Sequence, residues 1–141
     1  SFAANCFIGL GHALRVPVIM VSSTIPFPWL ERSLGQPPQS AFAPSFFSSY
    51  VHPMSFSERI YNTVKDRFDL VRFDYHTKTV QNELMRKYID PNIPPLEELE
   101  NNVVLALVNS WPSLNGIKPL TPSIIQVGGI HVKEHYQKPS K

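Results

Sequence analysis

Five histidines are the residues of this chain best suited to metal binding or acid–base chemistry, but their spacing argues against a metal site. They stand at positions 12, 52, 76, 131 and 135, and none lies beside the single cysteine, Cys6. His131 and His135 are four residues apart, yet Lys133, Glu134 and the polar end of the chain favour solvent over a metal-binding helix face. The sequence therefore predicts no metal site.

Two further stretches contain part of a catalytic or a nucleotide-binding motif, but neither contains all of it. Ser22 and Ser23 follow a predicted strand, as some nucleophiles do, but no G-x-S-x-G surrounds them. Gly9 and Gly11 in "GLGHAL" begin a dinucleotide fingerprint, but Leu14 stands where the third glycine is required. We expect these glycines to let a helix pack closely on a sheet.

Residues 24–54, here called the aromatic segment, are the part of the chain most suited to binding a ligand. They hold six of the 14 prolines and show neither a helical nor a strand period, which predicts a long loop. Long loops inside a domain are usually functional, and this one follows a strand's carboxyl end, where α/β sheets bind ligands. Sealing of the core explains the aromatic residues equally well, and contact of "SAFAPSFFSSY" with a membrane interface is a third interpretation. The aromatic residues are Phe27, Trp29, Phe42, Phe46, Phe47 and Tyr50.

Helices and buried strands are predicted on either side of the aromatic segment. Helical spacing runs from Asn5 to Leu14, and "PVIMVSS" (residues 17–23) is an apolar run typical of a strand buried on both faces. Ser55 and Glu58 make a capping box that begins an amphipathic helix. Its apolar face comprises Phe56, Ile60, Val64, Phe68, Val71 and Tyr75.

The remaining pattern completes an α/β arrangement. Helical spacing continues to Tyr88 after a weaker patch near His76, which predicts either a kinked helix or two helices that meet there. "PLEELENN" predicts a short acidic helix, and "VVLALVNS" and "SIIQVGGIH" predict two further buried strands. Helices alternating with buried strands indicate a parallel sheet with flanking helices.

The composition fits one globular domain and excludes some classes of partner. The chain has 141 residues, of which 43% are hydrophobic and 17% charged. Its net charge is +2 and its basic and acidic residues are mixed, which argues against nucleic acid as a partner. No stretch has the pattern of a membrane span or a signal peptide. Because an apolar stretch starts at Ser1 and a basic tail follows the glycine pair, we expect both ends to lie inside a longer protein.

Four stretches of the chain together resemble the UDP-glycosyltransferases, and most of all their arthropod members. They are "CFIGLGHALRVPVIMVSS", "PMSFSERIYN", "LVNSWPSL" and "PLTPSIIQVGGIHVK". The resemblance implies a single partial domain, residues 1–141, which is the later part of the N-terminal, acceptor-binding half of a two-domain glycosyltransferase of the GT-B type. Each half of such an enzyme is Rossmann-like, and residues 132–141 would begin the linker between them.

The same resemblance implies roles for individual residues. The wall of the acceptor pocket would include Ser23, Phe27, Trp29, Met54 and Phe56. Gly128, Gly129 and His131 would lie at the hinge between the halves, although a plain turn explains the glycines equally well. No histidine of this chain matches the catalytic base of the family, so the base and its acidic partner are expected upstream of Ser1.

An activity and a location follow from the resemblance as expectations. The intact protein would move a hexosyl group, with inversion, from a UDP-sugar to small lipophilic acceptors, as in detoxification. The UDP-sugar is a co-substrate held by a domain outside this chain, so no further cofactor is expected and the chain alone would be inactive. We expect the intact protein on the lumenal side of the endoplasmic reticulum membrane, and as a homo-oligomer. The alternative is a non-catalytic module that binds hydrophobic ligands or pairs with a full-length transferase.

Overall fold

A computed structural model describes residues 5–129 and shows helices together with a small parallel sheet. The elements are α1 (Ile8–Leu14), β1 (Val18–Ser22), α2 (Pro28–Ser33), α3 (Phe56–Tyr88), α4 (Leu96–Leu99), β2 (Val103–Val108), α5 (Pro112–Asn115) and β3 (Ile124–Gln126). Single 3₁₀ turns at Asn5–Phe7 and Glu100–Asn102 precede α1 and β2. The α/β fold class is confirmed.

The three strands lie side by side in the order β1-β2-β3, and both pairings are parallel. Ile19 pairs with Leu105, and Ala106 pairs with Ile124. Parallel neighbours need a long crossover, and the connection from β1 to β2 contains α2, α3 and α4. The predicted parallel arrangement of "VIMVSS", "VVLALVN" and "IIQVGG" is therefore confirmed. Their carboxyl ends meet at one edge of the sheet.

Only one face of the sheet is covered by the part of the chain that the structure describes. Ala106 and Ile124 are buried in the core together with helix residues such as Ile8, Leu96 and Leu99. Ile19 and Val21, which alternate with partly buried residues on β1, are 55% and 70% exposed. The prediction that this strand is buried on both faces is wrong for the described residues, because none of them packs over Ile19 and Val21.

Helix α3 is one continuous helix of 33 residues that passes through His76 without a break. The predicted capping box is present, since the Ser55 backbone N–H donates to Glu58 Oε2 at 2.7 Å. The apolar face of such a helix usually packs on the core. Here that face, called the outer stripe, is exposed along its whole length. It comprises Phe56, Ile60, Val64, Phe68, Val71 and Tyr75.

On its opposite side, α3 packs against the rest of the protein largely through polar side chains. Asn62, Gln81 and Met85 are the buried residues of the helix, and two of these three carry amide side chains.

Within residues 5–129, no helix combines the length and the apolar content needed to cross a bilayer.

The two glycines of "GLGHAL" pack α1 closely on its neighbours, as predicted. A Cβ atom on Gly11 would lie 2.2 Å from Val18 Cγ2 of β1, and one on Gly9 would lie 3.0 Å from Met85 Sδ of α3. A larger residue at position 11 would therefore push the helix away from the sheet.

The aromatic segment is not a continuous loop, because it contains α2. Pro28 occupies the first turn of this helix, where its fixed φ is favourable and its missing N–H costs nothing. Trp29 and Leu30 then face the core, and both are buried.

Candidate functional site

A cavity of about 690 Å³ lies beyond the carboxyl ends of the three strands. Three of its lining residues show this position: Ile25 follows β1, Ser110 follows β2, and Gln126 is the last residue of β3. Open α/β sheets bind their ligands at this edge. The volume also falls within the range of about 300 to 1,000 Å³ that is typical of small-molecule sites.

The aromatic segment divides between the wall of this cavity and the core beneath it. Its outer part contributes aromatic side chains to the wall, namely Phe42, Phe46 and Tyr50. Leu70 of α3 and the apolar residues Leu114, Ile117 and Leu120 complete the apolar lining. The core-sealing role of the segment is therefore confirmed, while its role in binding a ligand stays a prediction.

Phe27 and Trp29 belong to the sealing part. Their rings are stacked, with centroids 6.2 Å apart and planes 9° apart, and both side chains lie in the hydrophobic core. Phe27 also contacts the ring of Phe46, at 4.6 Å between centroids, and Phe46 lines the cavity. Phe27 thus supports the cavity wall from behind, and Trp29 stacks on Phe27.

The other three residues predicted for the acceptor pocket lie apart from the cavity. Met54 is buried just before α3, and its carbonyl accepts a hydrogen bond from Arg59 Nε at 3.0 Å. Ser23 is exposed at the end of β1, and its carbonyl accepts from Asn109 Nδ2 at 3.1 Å. Phe56 is 80% exposed on the outer stripe. The five residues do not share one cavity in the part of the chain described, and their role in binding stays a prediction.

A cluster of three charged residues from three segments lines the cavity. Glu31 of α2 accepts a hydrogen bond from Lys118 Nζ at 2.5 Å, and Asp66 of α3 lies close enough to interact with both charges. Burial raises the pKa of Glu31, although Lys118 acts in the opposite direction. Burial also raises the pKa of Asp66, against the influence of Arg67 and Lys118. No sequence pattern predicts this cluster, because its members are 35 or more positions apart.

Two glutamines at the base of the aromatic segment bind the loop that carries Lys118. Gln36 Nε2 and Gln39 Nε2 both donate to the Pro119 carbonyl, at 2.8 and 2.5 Å. Gln36 Oε1 also accepts from the Thr121 backbone N–H at 2.7 Å. Gln39 Oε1 is buried and accepts no hydrogen bond within residues 5–129. The two side chains thus differ in one respect: only Gln36 uses both ends.

Asn62 of α3 holds the aromatic segment in place from the helix side. Its side chain is fully buried, donates to the carbonyls of Ser40 and Ala43, and accepts from the Ser45 backbone N–H at 3.0 Å. Because three backbone groups of an irregular segment depend on one side chain, the position of the cavity wall depends on it as well.

An ion-pair network fixes α2 against α3 and the turn before β2. Arg32 of α2 makes two hydrogen bonds to the Asp74 carboxylate of α3, at 2.7 and 3.1 Å. Glu100, which is 5% exposed, lies 3.5 Å from Arg32 and 3.7 Å from Lys78. Burial raises the pKa of Glu100, while Lys78 and Arg32 act to lower it. Glu31 is also a residue of α2, so the network that fixes this helix positions the charged cluster as well.

The predicted hinge residues lie partly outside the described part of the chain. Gly128 packs so closely on β2 that a Cβ atom would lie 2.6 Å from the Ser110 carbonyl oxygen. Gly129 has a φ of 85°, which favours glycine over other residues. These observations explain both glycines as parts of a turn, and the hinge role stays a prediction. His131 and residues 132–141 lie outside residues 5–129.

The site offers both hydrogen-bonding groups and apolar surface. Across the described residues, no group of three or more His, Cys, Asp or Glu side chains is placed to hold a metal ion. The arrangement is suited to binding an organic molecule with both apolar surface and polar groups.

Comparison with curated proteins identifies relatives along almost the whole chain. The UDP-glycosyltransferase UGT5 of Dactylopius coccus is 29% identical over 138 residues, which are 95% of this chain and 26% of the relative. The UDP-glucosyltransferase 2 of the same insect is 30% identical over 134 residues, 94% of this chain and 26% of the relative. The ecdysteroid UDP-glucosyltransferase of Autographa californica nuclear polyhedrosis virus is 37% identical over 54 residues, 38% of this chain and 11% of the relative.

These relatives confirm the resemblance that the sequence motifs predict. The chain spans about a quarter of the length of the first two relatives. No family model and no solved structure matches it.

Proposed function

We propose that this chain, whose relatives are UDP-glycosyltransferases over nearly all of its length, is part of an enzyme that transfers a sugar from a UDP donor to small lipophilic acceptors. The cavity beyond the strands would hold the acceptor molecule. The observation that carries the proposal is the position of this cavity, at the carboxyl ends of three parallel strands.

The chemistry of the lining supports an acceptor site over a nucleotide site. The aromatic and aliphatic residues of the wall bind flat apolar molecules, and of its basic residues Arg32 and Lys118 are already paired with Asp74 and Glu31. We place the UDP-sugar on polypeptide outside this chain, in the second half of a GT-B-type enzyme. The base that takes the acceptor's proton, and its acidic partner, would also lie outside the chain.

In the intact enzyme the residues of this chain would orient the acceptor. Its hydroxyl would face the cleft, where a base removes the proton and the oxygen displaces UDP directly at the anomeric carbon, which inverts that carbon. The cavity would exclude water from this oxygen and fix its approach. A lumenal location at the endoplasmic reticulum membrane and a homo-oligomeric assembly complete the proposal for the intact protein.

Calorimetric titration of the chain with 4-propylphenol and with UDP-glucose tests this assignment. We expect the phenol to bind and UDP-glucose not to bind, and no glycoside to form when both are present. A matched pair of variants locates the phenol: Ala43→Trp fills the cavity and should abolish binding, whereas Ala41→Trp, two residues away and exposed, should not.

Three results would contradict the proposal. Formation of glycoside by the chain alone would show that the base and the donor site are within it. Equal binding by both tryptophan variants would place the phenol elsewhere. Binding of UDP-glucose without the phenol would assign the cavity to the donor.

A further inference from the structure

Among the described buried groups of the cavity wall, unpaired hydrogen-bond acceptors outnumber unpaired donors. Gln39 is 7% exposed, and its Nε2 is committed to Pro119 while its Oε1 has no donor within residues 5–129. Native proteins rarely leave such an acceptor unpaired, and a partner that binds in the cavity is one explanation for it. Gln39 therefore indicates a ligand with a hydrogen-bond donor.

The two carboxyl groups of the charged cluster strengthen this indication. Glu31 and Asp66 line the same cavity as Gln39, and the one ammonium group of the cluster, Lys118, is engaged by Glu31. Arg32 also lines the cavity, but its guanidinium is bound to Asp74 and Glu100. Arg67 also lines the cavity, but it is exposed, so its positive charge lies nearer to solvent than Asp66 does. His52, another lining residue, is exposed as well. Burial raises the pKa of both carboxyl groups, although Lys118 acts to lower both and a hydrogen bond from Ser45 also acts to lower that of Asp66.

We propose that Gln39, Asp66 and Glu31 together select acceptor molecules that carry a second hydrogen-bond donor, a hydroxyl or an amine, away from the hydroxyl that receives the sugar. The inference rests on the proposed function and narrows its substrate class. An acceptor with two polar ends would be held at the distal end by these groups, and along its length by Phe46, Tyr50 and Leu70. A purely hydrocarbon tail would leave the buried acceptor atoms unpaired. At a polar site, such unpaired groups are the main free-energy cost of binding the wrong ligand.

Three phenols of equal size test the inference on the intact 141-residue chain. Tyrosol, tyramine and 4-propylphenol have the same ring and tail length, but end in a hydroxyl, an ammonium group and a methyl group. With ligand-observed NMR affinities, we expect tyrosol and tyramine to bind at least about fivefold more tightly than 4-propylphenol, the value of one net hydrogen bond. An advantage for tyramine alone would assign the selection to the carboxylates.

Matched variants identify the groups responsible. Gln39→Met should remove the preference for tyrosol, while Gln81→Met, which replaces a buried glutamine of α3 outside the cavity lining, should keep it. Asp66→Asn should reduce the affinity for tyramine more than the affinity for tyrosol. Circular dichroism of each variant establishes that it is folded, and the preference of the unmodified chain does not depend on any variant.

The outcomes separate this inference from the proposed function. If all three phenols bind in the cavity and 4-propylphenol binds as tightly as the other two, the inference is wrong and the acceptor site stands. If none of the three binds, both are wrong.

Discussion

On helix α3, polar side chains face the rest of the protein, whereas large apolar side chains on the other side face solvent. The inner side carries Asn62, Asp74, Gln81 and Asn82, and each of these polar side chains binds a different segment of the protein. The outer stripe consists of large apolar residues, all more than half exposed. Polar contacts on the inner side therefore specify where the neighbouring segments lie, whereas the outer stripe contacts little of the described chain.

This contrast matters because the inner side of α3 builds the cavity. Asn62 anchors the aromatic segment, Asp74 anchors α2, and Asp66 lines the cavity itself. We therefore expect substitutions on the two sides of the helix to differ in their effect on stability. They should also differ in their effect on ligand binding.

The largest effect is expected for Asn62→Ala. Removing this side chain leaves the buried Ser40 carbonyl and the partly buried backbone groups of Ala43 and Ser45 without their partner, which should lower the free energy of unfolding by about 2–4 kcal/mol. Val64→Ala, one half-turn away on the outer stripe, should change it by less than about 0.5 kcal/mol. Urea denaturation measures both, and similar losses for the two variants would remove the distinction between the sides.

The next largest effect is expected for Lys78→Met. The Lys78 side chain is 13% exposed and lies within 3.7 Å of Asp74, Glu97 and Glu100, so its loss leaves Arg32 as the remaining described cation beside the buried Glu100. We expect a loss of about 1–3 kcal/mol in the free energy of unfolding. Lys65→Met on the same helix breaks one i,i+4 pair with Asp69 and should cost about 0.5 kcal/mol or less. If the two lysine variants are equally stable, the contacts of Lys78 with Asp74, Glu97 and Glu100 do not stabilise the fold.

A smaller effect on stability is expected for Phe68→Ser and Tyr75→Ser on the outer stripe. Because both side chains are exposed, at 62% and 78%, each change should alter the free energy of unfolding by less than about 0.5 kcal/mol. The fluorescence of an apolar dye bound to the chain should nevertheless fall, since the exposed apolar surface is reduced. A large drop in stability would show that the stripe is packed in solution.

The smallest effect is a pH dependence at Asp66. Burial raises the pKa of this carboxyl group above its ordinary value of 3.8, so its contribution to stability is present at lower pH and is lost as the pH rises through the raised pKa. Asp66→Asn removes that loss. The stability of the variant relative to the unmodified chain should therefore rise as the pH increases above about 4 and then level off. Urea denaturation at a series of pH values measures the difference, and a difference that falls with pH would contradict the assignment.

The sequence predicts the elements of the fold better than it predicts the site. Apolar runs with β-branched residues identify all three strands, and Ser55 with Glu58 identifies the start of α3. These are local signals. The exposure of Ile19, Val21 and the outer stripe was not predictable, because periodicity shows that a face is apolar without showing what covers it.

The site depends on contacts between distant segments, and this is why sequence reasoning identified it only in part. The position of the aromatic segment after β1 indicates a wall at the edge of the sheet, and part of the segment does line the cavity there, while ligand binding stays a prediction. Trp29, however, lies in the first turn of α2 and Phe27 immediately precedes this helix, and both side chains lie in the core. Glu31, Asp66 and Lys118 come together only in the folded chain, and no local pattern marks them.

Heteronuclear NMR of the chain during titration with 4-propylphenol tests the central claim most directly, that the cavity beyond the strands is the binding site. The account predicts that amide shifts concentrate at Ile25, Ser110 and Gln126, which follow or end the three strands, and at the aromatic segment. Shifts confined to the outer stripe of α3, with those residues unchanged, would contradict it.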